Sequence, residues 1–379
     1  MVKNRKRGAS RSSRNQKSAS PLDHAEVIDT KFLFTLLDAS GPSGDETPVR
    51  DFIMKHMKQY GAQIHVAKFG NLICRKKGKG PSIMLAAHMD EIGLMVKKIK
   101  ENGHLIPTAV GGLEPITLLG EHVSLKTRQG MITGVITTKE IEDGEEVKQL
   151  PDMDDLIVDT GLERETLLSL GVNVGDYFHV LTKATKLGAP NVISGKALDD
   201  RLGCFVLLTA AKHLAKINLP ADVYYVFTVQ EEVGLYGART SVYSLDPDMA
   251  LVVEITNADE YARDKGTKRI GGGPCITVKD ADMIGNKKIN DLLREIAQKL
   301  NIPLQAEVSD FGTTDALSIS VSKGGIPTGV LSVPIRNIHT TTGIAHLADI
   351  GATIKMVEYM LVNAPTLCST RPGKGKICV

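Results

Sequence analysis

The sequence predicts an α/β protein: a mixed sheet with helices on both faces, plus an inserted β-rich barrel domain. Three observations carry this. Helical and strand-like patterns alternate after Leu198 and continue to about Leu361, as a helix-covered sheet requires. From about Gly93 to Ala189 the texture changes to short β-like runs, among them HLIPTAV, HVSLKT, MITGVIT and YFHVLT, broken by Gly and charged turns. On both sides of that stretch, apolar runs of buried-strand type are each followed by His, Asp or Glu.

Taken in order, the chain opens on a disordered basic tail, residues 1–22. Residues 3–17 hold seven Lys or Arg and no acid, with too little apolar surface to fold. The tail shares the charge of a transit peptide but lacks its apolar helical face, and it lacks the apolar core of a secretory signal. A helix is expected near Ala25 to Ala39. A second opens at Thr47-Pro48, with Thr as cap and Pro in the first turn. Strands follow around 63–68, 71–76 and 82–88. Within the insertion, 93–189, helical periodicity is weak apart from Arg164 to Leu170. The α/β domain is therefore split into 23–92 and 190–365, and 366–379 reads as a loose tail.

Composition narrows the function. The 379 residues suffice for two domains. The net charge of +2 is concentrated in the tail, so the rest is mildly acidic and nucleic acid is not an expected partner. No apolar stretch is long enough to span a membrane. The five cysteines show no CxxC spacing. Cys74, Cys204 and Cys275 lie in apolar runs and read as buried thiols, so a reducing, cytoplasmic setting is expected, with organelle targeting by the tail the lesser alternative. Gly271 to Gly273 lacks the spacing and ending of a phosphate loop and reads as a backbone turn.

Five segments carry the chemistry: AAHMDEIG (86–93), ALDDRLG (197–203), VQEEVGLYGA (229–238), LVVEITNAD (251–259) and IRNIHTTTG (335–343). His88 and Asp90 follow the run SIMLAA. If the strand continues, both point to one face, and a carboxylate behind an imidazole fixes its tautomer for metal binding. Taken alone, such a pair is more often an ordinary strand end. Asp199 and Asp200 precede a helical pattern, where acids also serve as simple caps. Glu231 and Glu232 follow VYYVFTVQ. Adjacent strand residues face opposite ways, so one suits a metal and the other general-base work. Gly234 and Gly237 suit a tight turn. Glu254 ends MALVVE, and His339 follows a proline-interrupted run from Ile326. Five such endings, with two histidines and several carboxylates, suggest a two-metal site.

AAHMDEIGLMV, SGKALDDRLG, VFTVQEEVGLYGA, DFGTTDALSIS and GGIPTGVLSVPIRNIH resemble, in this order, the dinuclear metallo-aminopeptidases that assemble into hollow tetrahedral shells. That family includes glutamyl and deblocking aminopeptidases, and some members were once labelled endoglucanases. The resemblance covers about Asp29 to Glu358 and implies a zinc-exopeptidase-like fold. It implies His88 and Glu254 as terminal ligands of one metal, Glu232 and His339 of the other, and Asp199 as the bridge, with a cis Asp199-Asp200 bond. Glu231 resembles the general base and Asp90 the acid supporting His88. Two divalent ions are implied, zinc or cobalt, with manganese also compatible. A hydroxide bridging them would attack the scissile carbonyl of a short peptide and release its N-terminal residue. The family usually has Asp at position 254 and Ser-Pro-x-Glu after the last His. Here these are Glu254 and Thr340 to Gly343. The insertion is implied to drive dimers that build a dodecamer. Two other classes stand beside this reading: a glycosidase, which needs two carboxyls astride a glycosidic bond rather than two histidines beside three carboxylates, and a catalytically silent shell-forming scaffold.

Overall fold

The computed structural model describes residues 28–261 and 266–363, and the backbone of 368–370 and 376–378. The expected basic tail, 1–22, lies outside the described residues. Of the segment 366–379, only Cys368–Thr370 and Lys376–Cys378 are described, as a paired two-stranded ribbon.

Four strands form the middle of an eleven-stranded mixed sheet: Asp222–Thr228, Ser82–His88, Met249–Asn257 and Thr328–Arg336, mutually parallel in that order. Their sequences are almost continuously apolar because both faces are covered. Strand periodicity divides each between two cores. Ile83, Leu85, Ala87, Val223, Tyr225, Phe227, Leu251 and Val253 join the larger core. That core holds the helices Thr30–Asp38, Thr47–Gln59, Leu198–His213, Lys287–Leu300 and Leu347–Val362. Met84, Ala86, Val226, Ala250 and Val252 face a thinner layer built on the short helices Tyr236–Leu245 and Asp315–Ser320. Phe227 pairs with Ala87, Thr228 with His88, and Val252 with Ala86. By the same alternation His88, Thr228 and Glu254 belong to the thinner face. The functional residues thus gather where the parallel strands end, on the side that helices cover least.

The insertion is a closed six-stranded antiparallel barrel: Gly93–Ile99, Leu105–Val110, Leu156–Asp159, Gly130–Thr138, His122–Thr127 and Tyr177–Val180. Alternate residues, such as Leu94 and Val96 or Val123 and Leu125, fill its interior, and Leu167 of the helix Arg164–Ser169 joins them. A closed barrel leaves no free sheet edge.

Two helix starts differ from expectation. The first helix begins at Thr30, capped by Asp29, whose side chain accepts from the Phe32 N–H; residues 25–27 lie outside the described part. The second begins at Thr47, but its cap position is Glu46, not Thr47. The Glu46 carboxylate instead accepts from the Gly44 and Gln230 N–H groups, a demand set by a loop distant in sequence. Among the described residues no helix is long and apolar enough to cross a membrane.

Candidate metal centre

His88 ends its strand with its side chain 1 % exposed. Its Nε2 lies 2.9 Å from Asp199 Oδ1, 3.6 Å from Glu254 Oε1 and 4.0 Å from Glu231 Oε2. The other Asp199 oxygen lies 3.5 Å from His339 Nε2, and Glu232 Oε2 lies 3.9 Å from that same nitrogen. One carboxylate therefore stands between two imidazoles, and each imidazole has a further carboxylate beside it. The peptide bond Asp199-Asp200 is cis.

Asp90 is fully buried and organises this arrangement from behind. Its backbone oxygen lies 3.2 Å, and its Oδ1 3.5 Å, from His88 Nδ1, leaving Nε2 turned to the centre. Its oxygens also accept from Ser43 Oγ (2.6 Å) and from the backbone N–H groups of Glu231 (3.1 Å) and Glu232 (3.2 Å). One side chain thus orients the imidazole and pins the turn carrying both glutamates. Burial alone would raise its pKa; the His88 ring, Ser43 and the Glu231 amide outweigh burial and lower it.

Three local expectations are corrected. Glu231 and Glu232 do not continue a strand. The strand stops at Thr228, Gln230 takes a positive φ of 53°, and both carboxylates reach the same pocket. Asp90 likewise lies beyond its strand's end, yet it keeps its contact with His88. Glu254 lies within its strand, which continues to Asn257. The turn after the glutamates is as tight as its glycines suggest: a Cβ on Gly237 would come within 2.3 Å of the Val229 carbonyl oxygen. Gly271 and Gly273 form a turn whose N–H groups hold the Asp349 carboxylate at 2.6 and 2.8 Å.

The structure adds residues to which sequence reasoning assigns no role. Asp315 is buried on the thinner face and accepts from Thr228 Oγ1 at 2.5 Å. Thr228 shares the parity of His88, and that is the signal that could have pointed to it. Asp200 is fully buried, its oxygens accept from the His88 and Gly203 N–H groups, and it lies close enough to His88 and Glu254 to share an ion with them. Behind it, Glu91 pairs with Lys196 (2.6 Å) and Arg201 (3.5 Å), all buried, tying the helix Leu198–His213 to the loop after His88.

The barrel also reaches the site. Glu121 accepts from Thr182 Oγ1 and from Thr341 Oγ1, each at 2.8 Å, and Thr341 belongs to the turn after His339. That is where the TTTG departure acts. A Cβ on Gly112 would lie 3.2 Å from His339 Nδ1, so the barrel backbone passes directly beside the ring.

The electrostatics ask for cations. Burial, then Asp199, push the Glu232 carboxyl up to about 8. Burial pushes Asp315 up to about 7 and, with neighbouring carboxylates, raises Glu231 well above its ordinary value. Glu232 Oε1 and Asp315 Oδ1 are buried without a hydrogen-bond partner. Unpaired buried carboxylate oxygens are costly unless a proton or a metal satisfies them. Mixed imidazole and carboxylate donors, crowded on an anionic pocket, fit divalent ions. The centre opens into a cavity of about 650 Å³.

A family model for M42 glutamyl aminopeptidases matches residues 70–356, spanning all of these segments. The chain belongs to that family. It is 39% identical over 319 residues to a putative aminopeptidase of Acetivibrio thermocellus, covering 84% of this chain and 93% of the relative. It is 33% identical to the lysyl aminopeptidase of Pyrococcus furiosus, covering 88% and 97%. Among solved structures it is similar to the TET aminopeptidase of a marine sediment Thaumarchaeota archaeon (TM-score 0.83, 33% identity, 88% and 96% covered). It is also similar to the Pyrococcus horikoshii TET1 peptidase, described as assembling into a tetrahedron or a large octahedral shell (TM-score 0.80, 32% identity, 88% and 99% covered).

Proposed function

We propose that this M42 aminopeptidase is a dinuclear metallo-enzyme that removes N-terminal residues from short peptides. The single observation carrying this reading is the Asp199 carboxylate standing 2.9 Å from one imidazole nitrogen and 3.5 Å from another, in the lining of the cavity. His88, Glu254 and Asp199 would hold one ion, and Asp199, Glu232 and His339 the other, with zinc, cobalt or manganese compatible with the donors. When bound, the ions supply Lewis acidity, polarising the scissile carbonyl and acidifying water at the centre. Glu231 then takes the proton of the attacking water and gives it to the leaving amine as the carbon–nitrogen bond breaks. Burial raises its pKa, which suits a group that must hold a proton between two steps. Asp90 keeps His88 Nε2 turned to the centre and holds Glu231 in place through its amide. The cavity wall receives the N-terminal residue.

The protein acts as a homo-oligomer in this reading, built from dimers and able to reach a dodecamer. The barrel supplies no proposed ligand, yet it exposes Met131, Ile141, Leu150 and Val174. Such apolar exposure suits subunit contact.

The test compares aminoacyl amides with their Nα-acetylated counterparts, before and after chelation, with metal content measured in parallel. Cleavage of the free-amine substrates alone, lost on chelation and restored by metal, is expected. Equal cleavage of acetylated substrates would exclude recognition of a free α-amino group, and full activity in metal-free protein would exclude the centre.

A further inference from the structure

One wall of the cavity carries charges that the chemistry above does not use. Lys268, 8 % exposed, donates from Nζ to Thr256 Oγ1 (3.0 Å) and to Glu307 Oε1. Glu307 Oε2 accepts in turn from Thr277 Oγ1 at 3.2 Å. These residues line the same cavity as Glu231 and Glu254. The positive charge of Lys268 is thus already neutralised by Glu307 and braced by two threonines.

Two further carboxylates on this wall have no such counter-charge among the described residues. Asp259 accepts from the Lys268 N–H at 2.7 Å. Asp280 accepts from the Asp282 and Met283 N–H groups through Oδ1, while its Oδ2 is buried with no hydrogen-bond partner. Burial raises its pKa, the response of a carboxylate lacking a cation. Among the described residues the wall is therefore net negative even with Lys268 included. Leu235 and Ile255, both largely buried and apolar, line the same cavity. A cavity that combines apolar lining with an unpaired carboxylate matches a side chain with a methylene stem and a charged tip.

We propose that this wall is the subsite for the substrate's N-terminal side chain, and that Asp280 selects basic residues, Lys or Arg, over acidic ones. The inference rests on the aminopeptidase reading. A Lys or Arg stem lies along Leu235 and Ile255, and its cation meets Asp280. A Glu side chain instead meets Asp280 and a Lys268 already paired to Glu307, so like-charge repulsion rejects it.

The experiment measures kcat/KM of the metal-loaded enzyme on lysyl, arginyl, leucyl and glutamyl amides, for wild type, Asp280→Asn and Glu307→Gln. Wild type should favour lysyl and arginyl over glutamyl by about tenfold or more, the scale of one charge-assisted hydrogen bond. Asp280→Asn should cut the lysyl-to-leucyl ratio by about tenfold, mainly through KM. Glu307→Gln should free the Lys268 charge and raise the glutamyl rate relative to leucyl. Leucyl cleavage with glutamyl equal to or above lysyl overturns the subsite while leaving the aminopeptidase reading intact. An unchanged lysyl-to-leucyl ratio in Asp280→Asn does the same. If no amide in the panel is cleaved, the aminopeptidase reading falls, and the subsite falls with it.

Discussion

His88 closes a central strand with its side chain 1 % exposed, whereas His339 lies past the end of its strand, at a positive φ of 57°, with its side chain 42 % exposed. The first ring is fixed by the sheet. Strand alternation decides its face, Asp90 sits behind it, and the backbone N–H of His88 donates to Asp200. The second ring is fixed by a turn and by the barrel, through Thr341 and Glu121 and the close passage of Gly112. One half of the centre is thus part of the core, and the other is an assembly of loops. The difference separates rigidity from access: the exposed half can exchange ligands without opening the core.

Glu231 faces the His88 half, while its neighbour Glu232 faces the His339 half. Glu231→Gln removes the proton acceptor and should lower turnover about 100- to 10,000-fold. Both ions should remain at wild-type stoichiometry. Loss of an ion along with turnover would make Glu231 a ligand of the His88 half rather than the base.

The two halves should also part company in stability. In metal-free protein, His88→Ala leaves Asp90 and Glu254 buried without their cationic partner, a loss of about 3–5 kcal/mol. His339→Ala removes a half-exposed ring and should cost no more than about 1 kcal/mol. Urea unfolding of both metal-free variants measures this. Equal losses would mean that burial does not distinguish the halves.

How far each half could be read from sequence follows the same division. The run SIMLAAH announces a buried strand, its alternation places His88, and the barrel strands declare themselves by their turns. Glu254 resisted reading because ITN continues the strand, and sequence alone does not show where pairing stops. The glutamates resisted because Gln230 adopts a left-handed conformation, which cancels the opposite-face argument. Glu46, Asp315 and Glu121 draw their roles from contacts with Gln230, Thr228 and Thr341, all distant in sequence. No local pattern encodes such partners.

Proton release should reveal whether both halves are charged alike before metal arrives. Burial alone would lower the His88 pKa, but Glu254, Glu231 and Asp199 raise it well above its ordinary value. Burial, then Asp199, push the Glu232 carboxyl, in the other half, up to about 8. At neutral pH both groups hold protons that an ion must displace, so apparent affinity rises with pH through this range. Each displaced proton contributes about tenfold per pH unit below the group's pKa. Calorimetric titration in buffers of different ionisation enthalpy counts the protons. Binding without proton release would show that the metal-free carboxylates and imidazoles are not paired as the geometry requires.

The smallest expected effect tests the loop half alone. Thr341 is buried, and its hydroxyl is the hydrogen bond between the His339 turn and the barrel's Glu121. Thr341→Val keeps the shape but deletes that bond, worth about 0.5–1.5 kcal/mol. Glu121 keeps Thr182, so the barrel itself should stay intact. The turn from Asn337 to Thr342 then holds His339 less firmly, and the ion shared by Glu232, His339 and Asp199 should bind up to about tenfold more weakly. The ion held by His88, Glu254 and Asp199 should be much less affected, because none of these three ligands belongs to the turn. Thr341→Ser restores the hydroxyl and should restore the weaker site. A stepwise metal titration resolves the two ions. If both sites shift together in Thr341→Val, the barrel supports the whole centre rather than one half, and the contrast between a core-built and a loop-built ligand set fails.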